Sequence, residues 1–124
     1  MATFVLVHGG RHGGWCWRKL DPLLRSAGHE VYRPSLTGLG DRAHLLGRFP
    51  VDTPIDLDTH VADITGLLTF EDLTDVVLVG HSYGGMVITG IADLIPQRLR
   101  HVVFLDAFMP KDGESLMDIA SDFE

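Results

Sequence analysis

The chain has a single cysteine, Cys16, among 124 residues. No disulfide can close within it, which excludes a disulfide-stapled scaffold and fits a reducing compartment. No stretch approaches the ~18 apolar residues of a membrane span. The first apolar run, residues 4–7, is too short for the core of a signal peptide and has no basic flank. A cytoplasmic protein with no membrane partner is therefore expected. Basic blocks are also lacking. The ten Lys and Arg are scattered among 17 Asp and Glu, and the net charge is −7. That balance disfavours a nucleic-acid partner.

What remains is a chain of one-domain length. Its hydrophobic content of 45% is enough for a buried core. Short apolar runs at 3–7, 30–33, 75–79 and 101–105 alternate with helical patterns at 17–27, 57–69 and 83–95, the last ended by Pro96. The first, third and fourth runs are continuous rather than alternating, as in strands covered on both faces. Alternation of strand and helix predicts an α/β fold: a parallel sheet with right-handed crossovers and helices on both faces. Residues 34–56 carry Pro34, Gly38, Gly40, Gly47, Pro50 and Pro54 and keep no period. A connection that long in a compact domain reads as a functional loop.

The chemistry concentrates at Gly80-His81-Ser82-Tyr83-Gly84, between the third run and the helix after it. A G-x-S-x-G in a strand-to-helix turn reads as a nucleophile elbow. Small residues two before and two after the serine let the turn close, and Ser82 is expected at a strained φ > 0 with Gly80 and Gly84 face to face. Acyl transfer also needs backbone N–H groups aimed at the oxygen of a tetrahedral intermediate. One is expected from Tyr83, directly after the serine, and the other from the glycine-rich loop His8-Gly9-Gly10-Arg11-His12-Gly13-Gly14, with Gly10 as donor. Gly9, His12, Trp15, Asp106 and Phe108 are candidate pocket residues. Asp106 ends the fourth run at the same sheet edge, either as a solvated loop-start carboxylate or as an acid of the site. His8 and His12 are spaced i,i+4, but no Glu follows His8 as in H-E-x-x-H, so no metal is expected, and no cofactor. His29 and His60 read as surface residues.

Four stretches together carry a resemblance: residues 4–10, His12-Gly-Gly-Trp-Cys-Trp, Gly80-His-Ser-Tyr-Gly-Gly-Met and Val103-Phe-Leu-Asp-Ala-Phe-Met-Pro. They resemble the α/β-hydrolase family of plant methylesterases and hydroxynitrile lyases and their bacterial esterase relatives, over nearly the whole chain. The resemblance implies a three-layer αβα fold with strands in spatial order second, first, third, fourth. It also implies a serine esterase acting on small carboxylic esters through an acyl-enzyme on Ser82, with Gly10 and Tyr83 supplying the oxyanion amides. Residues 1–108 match the N-terminal half of the hydrolase core, and 109–124 the start of a cap. The family's catalytic acid and histidine come later than any residue here. The only histidine after Ser82 is His101, expected at the far end of its strand. The 124 residues alone are thus expected to be catalytically incomplete, with the missing C-terminal half or a second copy completing the sheet.

Three other readings stay open. Lyases resembling this chain carry threonine after the strand-end histidine, where this chain has Gly9; that favours ester hydrolysis over C–C lyase chemistry. An inactive binding or interaction fragment on a hydrolase scaffold would use the same sequence. A dinucleotide-binding module would need G-x-G-x-x-G and an acid ending the second strand, and the chain has neither.

Overall fold

A computed structural model describes residues 1–48 and 54–107. Phe108 and the segment 109–124 lie outside the described residues. The described residues form four strands and three α-helices in the order β1 (Thr3–Val7), α1 (Asp21–Ser26), β2 (Glu30–Tyr32), α2 (Leu57–Phe70), β3 (Val76–Ser82), α3 (Gly84–Leu94) and β4 (Leu99–Ala107). The sheet order is β2-β1-β3-β4, and every pairing is parallel, as the sequence predicts.

The layers follow from which side chains each strand turns to each face. Val5, Val7, Val76 and Leu78 meet Val61, Ile64 and Leu68 of α2 and Val87, Ile88 and Ile91 of α3 in one cluster. Leu6, Val31 and Val79 point the other way, against Trp17, Leu20 and Leu24. Both faces of β1 and β3 are therefore covered, which is why their sequences are continuous rather than alternating. β3 and β4 run further than their apolar residues alone indicate, because polar His81 and Ser82 continue the ladder to Leu105 and Ala107 across an irregular register. α2 starts with a capping box: the Asp56 carboxylate accepts from the Thr59 N–H, and the Thr59 hydroxyl accepts from the Asp56 N–H.

Residues 34–48 contain a short 3-10 stretch, Gly40–Leu45, but are otherwise irregular and held by side chains from elsewhere. Thr37 donates from its backbone N–H and its hydroxyl to Asp63 on α2, both at 2.7 Å. Ser35 accepts from the Gly14 N–H at 2.9 Å and bonds Asp41. Asp21 bridges Arg25 and Arg33. Burial alone would raise its pKa, but the two guanidinium hydrogen bonds outweigh that and hold the carboxyl below its ordinary range.

His8 ties this loop to the end of β1. It is fully buried. Its Nδ1–H donates to the Gly9 carbonyl at 2.7 Å, and its Nε2 accepts from the Leu36 N–H at 2.9 Å. Burial, partly opposed by the Gly9 hydrogen bond, pushes its pKa below 6.5. A proton on Nε2 would face the Leu36 N–H, donor against donor. The folded state therefore keeps His8 neutral, while the unfolded chain takes up a proton near pH 6.5. The stability this contributes is fully present above that pH and is lost as the pH falls toward the lower folded value. Denaturant unfolding of the full-length protein between pH 7 and pH 5 should show stability falling with acid. His8→Asn should flatten that slope and cost about 1–3 kcal/mol at pH 7, because Leu36 loses its acceptor. An unchanged slope in the variant would remove His8 as its source.

Candidate active site

The C-terminal edge of β3 and the loop after β1 build one site. Ser82 is the last residue of β3 and has φ +54°. A serine held in the left-handed region costs about 1–3 kcal/mol and persists only where the surroundings fix it. Two glycines do so here. A Cβ on Gly80 would lie 2.6 Å from the Gly84 carbonyl oxygen, and one on Gly84 would lie 2.6 Å from the Val7 carbonyl oxygen. The chain thus turns from β3 into α3 through space that only hydrogen atoms can fill, and α3 begins directly against the end of β1. The strain and the facing glycines expected from the sequence are both present.

Ser82, Tyr83, Gly9, Gly10, Arg11 and His12 line a cleft of about 240 Å³. Gly9 faces the serine: a Cβ there would sit 3.2 Å from Ser82 Cβ and 3.3 Å from His12 Nδ1. Gly10 lies across from Tyr83, with 3.6 Å between a Cβ built on it and Tyr83 Cβ. Tyr83 is the N-cap of α3, so its N–H is among those that an α-helix leaves without an internal partner. Such a cleft offers a hydroxyl, two facing backbone segments and little bulk between them. Burial and the nearby Asp56 raise the Tyr83 phenol to about 12, so it stays protonated.

The other sequence-predicted residues are placed as follows. His12 is half-buried, and its Nδ1 has no hydrogen-bond partner among the described residues. Its ring lies 5.8 Å from those of Trp15 and His81. Trp15 is 45% exposed and packs behind His12, outside the cleft lining. His81 lines a hollow of about 290 Å³ shared with His12, Cys16, Trp17 and Leu105, and its Nδ1 would lie 3.4 Å from a Cβ on Gly9. Asp106 is exposed, has φ +46° and precedes Ala107, which pairs with Ser82. It stands at the same sheet edge as the serine. His101 pairs with Val77, near the other end of β3.

The histidines hydrogen-bonded among the described residues are His8, His29 and His60, and none of those bonds reaches Ser82. Both nitrogens of His8 are occupied by backbone, so it is not free to bind a metal ion. Burial pushes the Cys16 thiol up, against competing nucleophilic use. Larger hollows of about 550 and 510 Å³ lie along the β2 edge and at the N-terminal ends of the strands; neither is lined by a serine or cysteine.

The structure corrects the reading of two histidines as surface residues. His29 is half-buried and accepts from the Ala2 N–H at 2.9 Å, its ring edge-on to Phe4. His60 is 7% exposed and bonded through both ring nitrogens. Its burial has a signal in the sequence: position 60 falls on the helical face of Leu57, Val61, Ile64 and Leu68.

The chain is similar to known proteins. Residues 4–123 match the model of the "Alpha/beta hydrolase family". The chain is 56% identical over 117 residues to a carbendazim hydrolyzing esterase of Nocardioides sp. (strain SG-4G), covering 94% of this chain and 46% of that protein. It is 39% identical over 108 residues to an alpha-hydroxynitrile lyase of Arabidopsis thaliana, covering 86% of this chain and 40% of that one. An extracellular alpha/beta-hydrolase from a Paenibacillus species superposes with a TM-score of 0.78 at 32% identity, over 93% of this chain and 44% of its own. The chain spans about half the length of these relatives or less. With the strand order, the strained serine and a family match over nearly all of its residues, the chain belongs to the alpha/beta hydrolase family.

Proposed function

We propose that the protein carrying this chain is a serine hydrolase of small carboxylic esters with Ser82 as its nucleophile. The observation that carries this is Ser82 at φ +54° on a turn closed by Gly80 and Gly84, opening into the cleft with Gly9 and Gly10. In the proposed reaction the Ser82 hydroxyl attacks the ester carbonyl and gives its proton to a base. The tetrahedral oxygen is held by the N–H groups of Gly10 and Tyr83. The alcohol leaves with the proton, and water then releases the acid from the acyl-serine. No histidine among the described residues is bonded to Ser82, and the relatives are about twice as long. We therefore assign the base and its orienting acid to the part of the protein beyond these residues.

The same completion serves the sheet. β4 pairs with β3 on one side, and Val103 and Leu105 are 40% and 48% exposed. An apolar strand with an open edge is a template for another strand, and we assign that place to the remainder of the protein. We propose a cytoplasmic location, supported over this stretch by one cysteine, Cys16, and hence no disulfide within it.

Family membership does not choose the reaction, since one relative is named an esterase and another a lyase. Gly9 supports the esterase reading. The position faces Ser82, and a side chain there would enter the space an acyl group needs. Carbendazim, named for the bacterial relative, and p-nitrophenyl acetate are the first substrates to try. Their hydrolysis by the full-length protein should fall at least ~10³-fold in Ser82→Ala, while the fold is kept. Undiminished turnover by that variant would end the proposal. Gly9→Thr should lower ester kcat/KM by about tenfold or more, because the new Cβ crowds Ser82. Unchanged ester turnover in that variant would remove Gly9 as support for the esterase reading, and cleavage of a cyanohydrin by the wild-type protein would favour the lyase reading.

A further inference from the structure

His60 comes from α2, outside the turn and loop that form the cleft, yet it is bonded to a residue of the cleft. Its Nε2 lies 2.9 Å from the Thr37 carbonyl oxygen, and its Nδ1 lies 2.8 Å from the Tyr83 hydroxyl. A carbonyl only accepts, so Nε2 carries the hydrogen in the neutral ring. Nδ1 is then an acceptor, and the Tyr83 hydroxyl donates to it. The rings meet edge-on, 5.6 Å apart and at 79°. The far end of this chain is equally fixed. Thr37 is 4% exposed and makes two 2.7 Å bonds to Asp63, which sits three residues after His60 on the same helix.

Tyr83 has two parts that matter to the cleft. Its N–H is the first at the α3 end, directly after Ser82, and its side chain lines the cleft opposite Gly10. Without an anchor, the ring could rotate toward the space across from Gly10, which holds no side chain to stop it. The anchored ring also restrains its own Cα: only a change in φ at Tyr83 or ψ at Ser82 can turn the Ser82–Tyr83 peptide plane and its N–H, and a side chain held at its far end resists that change. A buried, fully partnered imidazole is a stiff anchor, because every alternative position leaves a buried polar group unpaired.

We propose that His60 is a positioning residue for the oxyanion site: through the Tyr83 hydroxyl it fixes the peptide plane whose N–H, with that of Gly10, receives the tetrahedral oxygen. This rests on the ester-hydrolase reading above. His60 touches no substrate and moves no proton in this role. Its effect is on the transition state, where charge has developed on the oxygen, rather than on the bound ester.

The test is steady-state kinetics of the full-length protein on p-nitrophenyl acetate, beside the affinity for a trifluoromethyl ketone, which forms a tetrahedral adduct on the serine. Tyr83→Phe removes one oxygen atom and keeps the ring, so it serves even if His60→Phe folds poorly. Each should lower kcat about tenfold with KM within twofold, and weaken the ketone in parallel. The double variant should be no worse than the worse single one, because both break the same bond. His60→Asn places a side-chain oxygen near the position of Nδ1 and should restore most of kcat. Effects that multiply in the double variant, or a kcat that holds while only thermal stability drops, would overturn the proposal. Ser82→Ala in the same series separates the two claims. If it is inactive and His60→Phe and Tyr83→Phe are normal, only the positioning role fails. If it is fully active, the ester-hydrolase reading fails and this proposal falls with it.

Discussion

The site depends on one close approach. α3 can begin against the end of β1 because Gly84 has no Cβ to meet the Val7 carbonyl, and the turn before it can close because Gly80 has none to meet Gly84. The left-handed backbone at Ser82 follows from that closure. So does the placement of its Cβ, which faces Gly9 in the loop after β1. The strain is local, about 1–3 kcal/mol, and is held in place by the surroundings. Those surroundings are the clusters on the two faces of β1 and β3, which leave neither strand room to relax.

A second set of constraints is polar. The loop after β2 has no regular ladder, so its backbone groups need partners from elsewhere. It finds them in His8, at the end of β1, and in Asp63 and His60, on α2. His8 connects the loop to the strand that leads into the cleft, and His60 connects it to Tyr83, which lines the cleft. The functional loop expected from the glycines and prolines between 34 and 56 therefore acts, over its described part, as a brace behind the site rather than as its wall.

What could be read from the sequence follows the range of each interaction. Covered faces and the elbow depend on local period and spacing, visible as the runs ending in Val7 and Val79 and as the glycines flanking Ser82, whereas the strand order is implied by the family resemblance. Long-range polar pairing leaves no such mark. His29 binds the Ala2 amide across 27 residues, and His60 binds the Tyr83 hydroxyl across 23. Neither partner can be named from composition. Position 60 does lie on the apolar face of α2, so its burial, though not its partner, was within reach. Strand ends were harder still, since the polar residues His81 and Ser82 extend β3 by ladder bonds that no hydropathy pattern shows.

Labelling chemistry tests whether this backbone strain presents Ser82 as the reacting group. The direct measurement is to treat the full-length protein with a fluorophosphonate at neutral pH, digest it and map the adduct by mass spectrometry. One stoichiometric adduct is expected, on the peptide containing Ser82, and none after heat denaturation. A native, folded protein that stays unlabelled, or one labelled at another residue with Ser82 untouched, would contradict it.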